Sequence, residues 1–291
     1  MTYKDIRNSF AQADAIRDAG IQIPAGVSRQ VDIPYGPHGK WNLLDVYRPA
    51  SAGDKLLPVI VSVHGGGWVY GDKQLYQHFC MDMALRGFAV VNFNYRLAPE
   101  DPFPAAVEDV NAAFAWTAAH GREYGMDLDK LFVVGDSAGA QLACQYIAMV
   151  TDPAFGAMYD LAYPALDIKG AALHCGRYQF DDPAHWTESD HATLMAYFGP
   201  DPADKLPLAD CLAHITPAFP PTLVMTSYYD FLRAQSPILC QALKAQGVPY
   251  QYRLYGTKDQ THMTHVFHLN VRLPEAQACN QEQCDFFRSL I

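Results

Sequence analysis

The order of apolar runs and amphipathic stretches predicts an α/β fold, a mostly parallel sheet of about eight strands flanked by helices. Three observations carry this. Several runs, "LPVIVSVHGGG" and "KLFVVGDSAG" among them, are almost continuously apolar and stop at glycines, as strands buried on both faces do. Helical patterns alternate with those runs along most of the chain. With 291 residues, half of them apolar, the chain is long enough to bury one large core.

The elements follow in order. The first twenty residues, "MTYKDIRNSFAQADAIRDAG", space Ile6, Phe10 and Ala13 along one helical face and end at Gly20; they have neither the apolar stretch nor the cleavage site of a signal peptide. "SRQVDIPYG" and "KWNLLDVYRP" read as antiparallel neighbours. "LPVIVSVHGGG" and "FAVVNFNYR" are buried strands. "EDPFPAAVEDVNAAFAWTAAHG" reads as a helix with prolines in its first turn and Gly121 just past its end. The strand "KLFVVGDSAG" breaks into a turn and the helix "AQLACQYIAMV". The strands "IKGAALHC" and "PPTLVMTS", the helix "RAQSPILCQALKAQG", the strand "PYQYRLYG" and a helix near "LPEAQACNQEQCDFFRSL" complete the series. Only the interval 176–219 breaks the alternation. It offers no good strand and instead mixes Tyr178, Phe180, Trp186, Tyr197 and Phe198 with acids and prolines. A strandless segment of that length reads as an inserted cap on a single domain spanning residues 1–291, with residues 1–28 as a second cap element. Its aromatics either form a small core of their own or line a substrate pocket.

Charge and cysteine content exclude several classes. A net charge of −10 without a basic cluster argues against nucleic acid and anionic membranes as partners. No apolar run approaches the roughly 20 residues that span a bilayer. The seven cysteines include no CxxC pair, which fits reduced, buried thiols in a cytoplasmic protein and no structural zinc.

The chemistry concentrates in four short stretches. "GDSAG", Gly135–Gly139, matches G-x-S-x-G. A capping serine between glycines has the same letters, but here an apolar strand precedes the motif and a helix follows it, the setting of a nucleophile elbow. Side chains at either glycine would collide with backbone in so tight a turn, and the following helix directs its first N–H groups to the place where Ser137 Oγ projects. "HGGGW", His64–Trp68, closes another strand, and its glycines let backbone N–H groups approach a ligand. Gly65, Gly66 and Ala138 N–H are the donors expected to hold an oxyanion. The glycine run lacks the Lys-Ser/Thr continuation of a phosphate loop, and His64 reads as a brace for the loop. Trp68 and Tyr70, just beyond, either contact substrate or pack. Asp230 follows the strand Thr222–Thr226 and is the orienting acid, though it could also cap the next helix. The loop "YRLYGTKDQTHMTHVFH" must supply the base, and it offers His262, His265 and His268. Spaced three apart, these could also read as metal ligands or as plain helix surface.

"HGGGWVYGD", "NYRLAPEDPFPAAVEDV" and "GDSAGA" together resemble the hormone-sensitive-lipase-like branch of the α/β-hydrolases, the small bacterial carboxylesterases, from about Leu44 to the C-terminus. The resemblance implies the α/β-hydrolase fold with a small cap. It matches Asp230 in "DFLR" to the family acid and, through a His-Gly-Phe motif, His265 to the family base. Here valine, Val266, stands where that motif has glycine. With His265 as the base, the loop has no call for a metal. Arg96 and Glu100 in "YRLAPE" are expected to hold the loop beneath the site. The implied activity is hydrolysis of short-chain acyl esters, or of hydroxycinnamoyl esters if the cap aromatics face the pocket, through Ser137, His265 and Asp230 and without a cofactor. The partner is a small-molecule ester, and relatives often pair as homodimers through a sheet edge or the last helix. Two other functions remain compatible: an amide hydrolase such as an aryl formamidase, and a non-catalytic ligand receptor on the same fold.

Overall fold

The computed structural model describes residues 1–180 and 186–291; five residues of the expected cap, 181–185, lie outside the described set. The chain opens with helix α1 (Tyr3–Asp18), then strands β1 (Val27–Pro34), β2 (Leu43–Pro49) and β3 (Leu57–Val63). Helix α2 (Lys73–Leu85), β4 (Ala89–Phe93), α3 (Ala105–His120) and β5 (Met126–Asp136) follow. Next are α4 (Ala138–Thr151), the single turn α5 (Pro153–Gly156), β6 (Ile168–His174), α6 (Glu188–Phe198) and the short α7 (Leu206–Ala209). The last elements are β7 (Thr222–Ser227), α8 (Gln235–Ala245), β8 (Tyr250–Tyr255) and α9 (Pro274–Arg288).

The eight described strands join one sheet in the order β1-β2-β4-β3-β5-β6-β7-β8. β2 runs antiparallel to both β1 and β4, and every later pairing is parallel. The continuous apolar runs are explained by what lies on each face. In β3, Val59, Val61 and Val63 enter the larger core beneath α3 and α4, while Ile60 enters the core beneath α2 and α9. A strand covered on both sides has no polar face to show. All seven cysteines are buried and unpaired, and no described helix is long and apolar enough to cross a membrane.

Two details differ from the sequence reading. The prolines expected in the first turn of α3 lie before it: Pro104 is the N-cap residue and the helix begins at Ala105. Helix α2 carries no strong periodic signal, being a mixture of polar and apolar residues; Asp72 starts it by accepting from the N–H groups of Gln74 and Leu75. The interval 176–219 contains helices and no described strand. α1 packs against α6 and is tied to the body by Arg7, which pairs with Glu100 and donates to the Ala98 carbonyl at 2.8 Å.

Candidate active site

The carboxyl ends of β5, β7 and β8 bring the predicted residues together. Ser137 sits between β5 and α4 with φ 53° and ψ −121°, a conformation L-residues rarely adopt. Crowded backbone forces it. A Cβ on Gly135 would lie 2.4 Å from the Gly139 carbonyl oxygen, and one on Gly139 would lie 2.1 Å from that of Val63. The turn is pinned to the next strand by Ser137 N–H, which donates to the His174 carbonyl at 2.9 Å.

Two loops present the acid and the base. Tyr229 and Thr264 form a parallel bridge between them, Ser227 Oγ donates to the Thr264 carbonyl at 2.7 Å, and Tyr229 N–H to the Met263 carbonyl at 2.9 Å. His265 Nε2 thereby stands 2.9 Å from Ser137 Oγ, and its Nδ1 stands 2.6 Å from Asp230 Oδ1. Asp230 is buried but well partnered. Thr226 Oγ1 donates to Oδ2 at 2.6 Å and Leu232 N–H to Oδ1 at 2.9 Å. Burial alone would raise this carboxyl; the bond to His265, with its charge and the two added donors, outweighs that and holds it below the usual carboxylate range. A carboxylate only accepts, so Nδ1 of His265 carries the proton and Nε2 is left to accept from the serine hydroxyl.

The three histidines of the last loop separate cleanly. His265 joins Ser137 and Asp230. His262 is exposed, 3.2 Å from Glu275. His268 is fully buried, edge-on to Phe79 and beside His174. Among the described residues, the metal-type donors that converge are Cys175, Asp230 and His265, within 4.8 Å of one another, and neither outer histidine belongs to that group. Val266 adopts φ 52° and ψ 33°, the left-handed region that the glycine of the family motif enters freely and a β-branched residue enters only at a steric cost.

Gly66 has φ 116° in the loop after β3, and Ala138 is the first residue of α4. Gly65 is already engaged. Its N–H donates to Tyr76 Oη at 2.7 Å, and Tyr76 donates in turn to Asp136 Oδ2 at 2.8 Å. Tyr76 comes from α2, and nothing in its sequence neighbourhood marks it. Burial pushes the Asp136 carboxyl up to about 7, against the pull of Tyr76. His64 braces the loop: it stacks on Tyr95 at 3.9 Å, its Nδ1 is 2.8 Å from the Gly65 carbonyl, and burial lowers it to about 4. Arg96 binds Asp109 at 2.9 Å and Glu108 at 2.7 Å.

Two chambers meet at Ser137, with Phe10 and Phe231 in the walls of both. The first, about 230 Å³, holds His265, Tyr70 and Gly66. The second, about 460 Å³, holds Ala138, Trp68, Ile6 and Leu232. Trp68 thus faces a chamber while stacking on Tyr197 at 4.8 Å. The aromatics of the interval 176–219 pack on one another and on the body: Tyr178, Trp186, Tyr197 and Phe198 are buried, Phe180 meets Phe198 edge-on, Phe180 and Tyr197 also pack on Trp68 and Tyr197 and Phe198 on Phe103, and none of the five lines either chamber.

Comparison with known proteins fits this geometry. A family described as the α/β-hydrolase fold matches residues 60–269. Esterase LipI of Mycobacterium tuberculosis is 32% identical over 247 residues, 77% of this chain and 71% of that protein. The carboxylic ester hydrolase LipN of the same organism is 32% identical over 277 residues, 90% of this chain and 70% of that one. The chain belongs to the hormone-sensitive-lipase-like α/β-hydrolases. Among solved structures of esterases, esterase B of Lactobacillus rhamnosis superposes with a TM-score of 0.89 at 26% identity, covering 99% of this chain and 94% of that one. An esterase of Pyrobaculum calidifontis gives 0.77 at 30% identity, covering 99% and 93%. The hydrolase is therefore a carboxylic ester hydrolase of the serine carboxylesterase type.

Proposed function

We propose that this carboxylesterase cleaves short-chain acyl esters through an acyl-enzyme formed on Ser137. The observation that carries the reading is the unbroken line Ser137 Oγ, His265, Asp230, with contacts of 2.9 and 2.6 Å. Ser137 Oγ bonds to the ester carbonyl carbon as its proton passes to His265 Nε2. The carbonyl oxygen becomes an oxyanion held by Gly66 and Ala138 N–H. Asp230 stabilises the imidazolium and fixes its ring. The intermediate collapses, the C–O bond to the alcohol breaks, and the alcohol leaves with the proton from Nε2. Water repeats the sequence and frees the acid. Gly65 N–H, engaged by Tyr76, holds the loop in register, and losing one true oxyanion donor would cost about 3 kcal/mol of barrier.

Stereochemistry assigns the chambers. The proton donor must reach the leaving oxygen, so the alcohol lies on the His265 side, in the smaller chamber. The acyl group takes the remaining direction, into the larger chamber beside Trp68 and Ile6. Helix α1 lines both and packs against α6, which supports residues 1–28 and 176–219 as the two parts of a cap. A cap-bounded acyl chamber favours acetate to hexanoate esters. The cap aromatics pack on one another, on Trp68 and on Phe103 rather than line the chambers, so they give no support to a hydroxycinnamoyl specificity.

A fluorophosphonate probe and a series of p-nitrophenyl esters test the reading. The expected result is labelling of the wild type and not of Ser137→Ala, with kcat/KM falling steeply beyond hexanoate. A folded wild type that neither labels nor turns over any ester of the series would overturn it.

A further inference from the structure

Among the described residues, the smaller chamber combines three features that esterolysis itself does not need. Its wall carries the Asp14 carboxylate against one guanidinium, Arg17, with the buried Asp136 carboxyl held behind by Tyr76. That guanidinium is already divided: it meets Asp14 at 2.8 Å and holds Asp18 through two bonds of 2.7 Å. Asp72, the N-cap of α2, adds a further negative charge within reach of Asp14 and Tyr70. Aromatic rings form much of the remaining wall. Phe10 meets Tyr70 edge-on at 5.8 Å, and Phe231 lies 4.2 Å from the His265 ring. Tyr70 Oη donates to Asp14 Oδ2 at 3.0 Å, which enriches the electron density of the Tyr70 ring and fixes the carboxylate beside it. Excess negative charge amid aromatic faces is the environment that holds an ammonium group.

We propose that the chamber beside His265 is a subsite for alcohols bearing a cationic amine, with Asp14 as its specificity-determining residue. This rests on the ester-hydrolase reading and on the assignment of the alcohol to the His265 side. Asp14 lies on α1, so the cap helix supplies the selectivity while Ser137, His265 and Asp230 supply the chemistry. Anionic alcohols, such as those bearing a carboxylate or phosphate, are disfavoured by the same charges.

The test is a matched pair of esters at pH 8: acetylcholine and its uncharged isostere 3,3-dimethylbutyl acetate. The two differ in charge and hardly in shape. Wild type should show kcat/KM about tenfold higher for the cation, a size typical of a desolvated cation–π and charge contact. Asp14→Asn, which preserves shape, should shrink the ratio to below about threefold. Asp129→Asn removes an equal charge from an exposed side chain near the start of β5, the end of the strand away from Ser137, and should retain most of the ratio. Because the wild-type ratio is decisive on its own, a variant that fails to fold does not shelter the proposal. Equal or faster turnover of the isostere overturns it, as does a ratio untouched in a folded Asp14→Asn. If the isostere is turned over without any preference, this inference falls and the esterase reading stands. If folded wild type hydrolyses neither ester nor p-nitrophenyl acetate, both fall.

Discussion

Two residues at the site, Ser137 and Val266, share a positive φ, 53° and 52°, and are held there by different means. At Ser137 the backbone does it. Gly135 and Gly139 let strand and helix segments approach so closely that a side chain at either would collide with backbone. At Val266 a β-branched residue occupies the left-handed region without such crowding glycines, and the loop is held by Ser227, Tyr229 and their bonds to Thr264 and Met263. The nucleophile is positioned by steric exclusion, the base by hydrogen bonds between two loops. The first kind of constraint fails abruptly; the second can be trimmed.

Asp230→Asn attacks the hydrogen-bonded side at its centre. An amide can present its NH₂ to Nδ1 and favour the wrong tautomer, so kcat should fall on the order of 10⁴-fold with the fold intact; steady-state kinetics beside a circular dichroism spectrum checks this. Gly139→Ala attacks the steric side. Its Cβ would lie 2.1 Å from the Val63 carbonyl oxygen, and the variant should lose about 3 kcal/mol of stability or more in urea unfolding, with activity lost as well. A wild-type-like melt would show that the elbow yields more readily than its packing implies.

The buried acid of the elbow gives a pH signature. Asp136 stays protonated in the fold up to about 7, whereas in the unfolded chain it ionises near 3.9. Its stabilising contribution is fully present below about pH 4 and is lost as pH rises toward 7. Relative to wild type, Asp136→Asn should therefore gain about 2 kcal/mol between pH 5 and 7. His174, lowered to about 4 by burial, works in the opposite direction over that window but is common to both proteins and cancels. Denaturant melts across the range would sink the assignment if the difference stayed flat.

The smallest effect belongs to Val266. Val266→Gly relieves the left-handed strain and Val266→Ala does not, while both remove the two γ-methyl groups. The glycine variant should be the more stable by up to about 1 kcal/mol, after allowing for glycine's entropy in the unfolded chain. Equal melts would mean the loop pays nothing for its conformation.

Legibility followed locality. Strands covered on both faces appear as unbroken apolar runs, and the elbow is legible because its glycines and serine are consecutive. The base required more: "THMTHVFH" offers three equivalent histidines, and only the path of the loop puts His268 inside the core and His262 in solvent. The link from Gly65 through Tyr76 to Asp136 joins the loop after β3, helix α2 and the end of β5, with Tyr76 and Asp136 60 positions apart, and no local pattern announces such a contact. Thr226 beneath Asp230 is silent for a similar reason, since a threonine in a β-strand needs no explanation until its hydroxyl is seen on a carboxylate. The chambers became readable only when α1 was placed over them.

The central claim is that His265, of the three histidines, is the base serving Ser137. Hydrolysis of p-nitrophenyl acetate by purified wild type, His265→Ala and His262→Ala tests it most directly. The expected result is an active wild type, a His262→Ala variant within about twofold of it, and a His265→Ala variant slower by three orders of magnitude or more. A dead His262→Ala beside an active His265→Ala would contradict the account and move the base three residues along the loop.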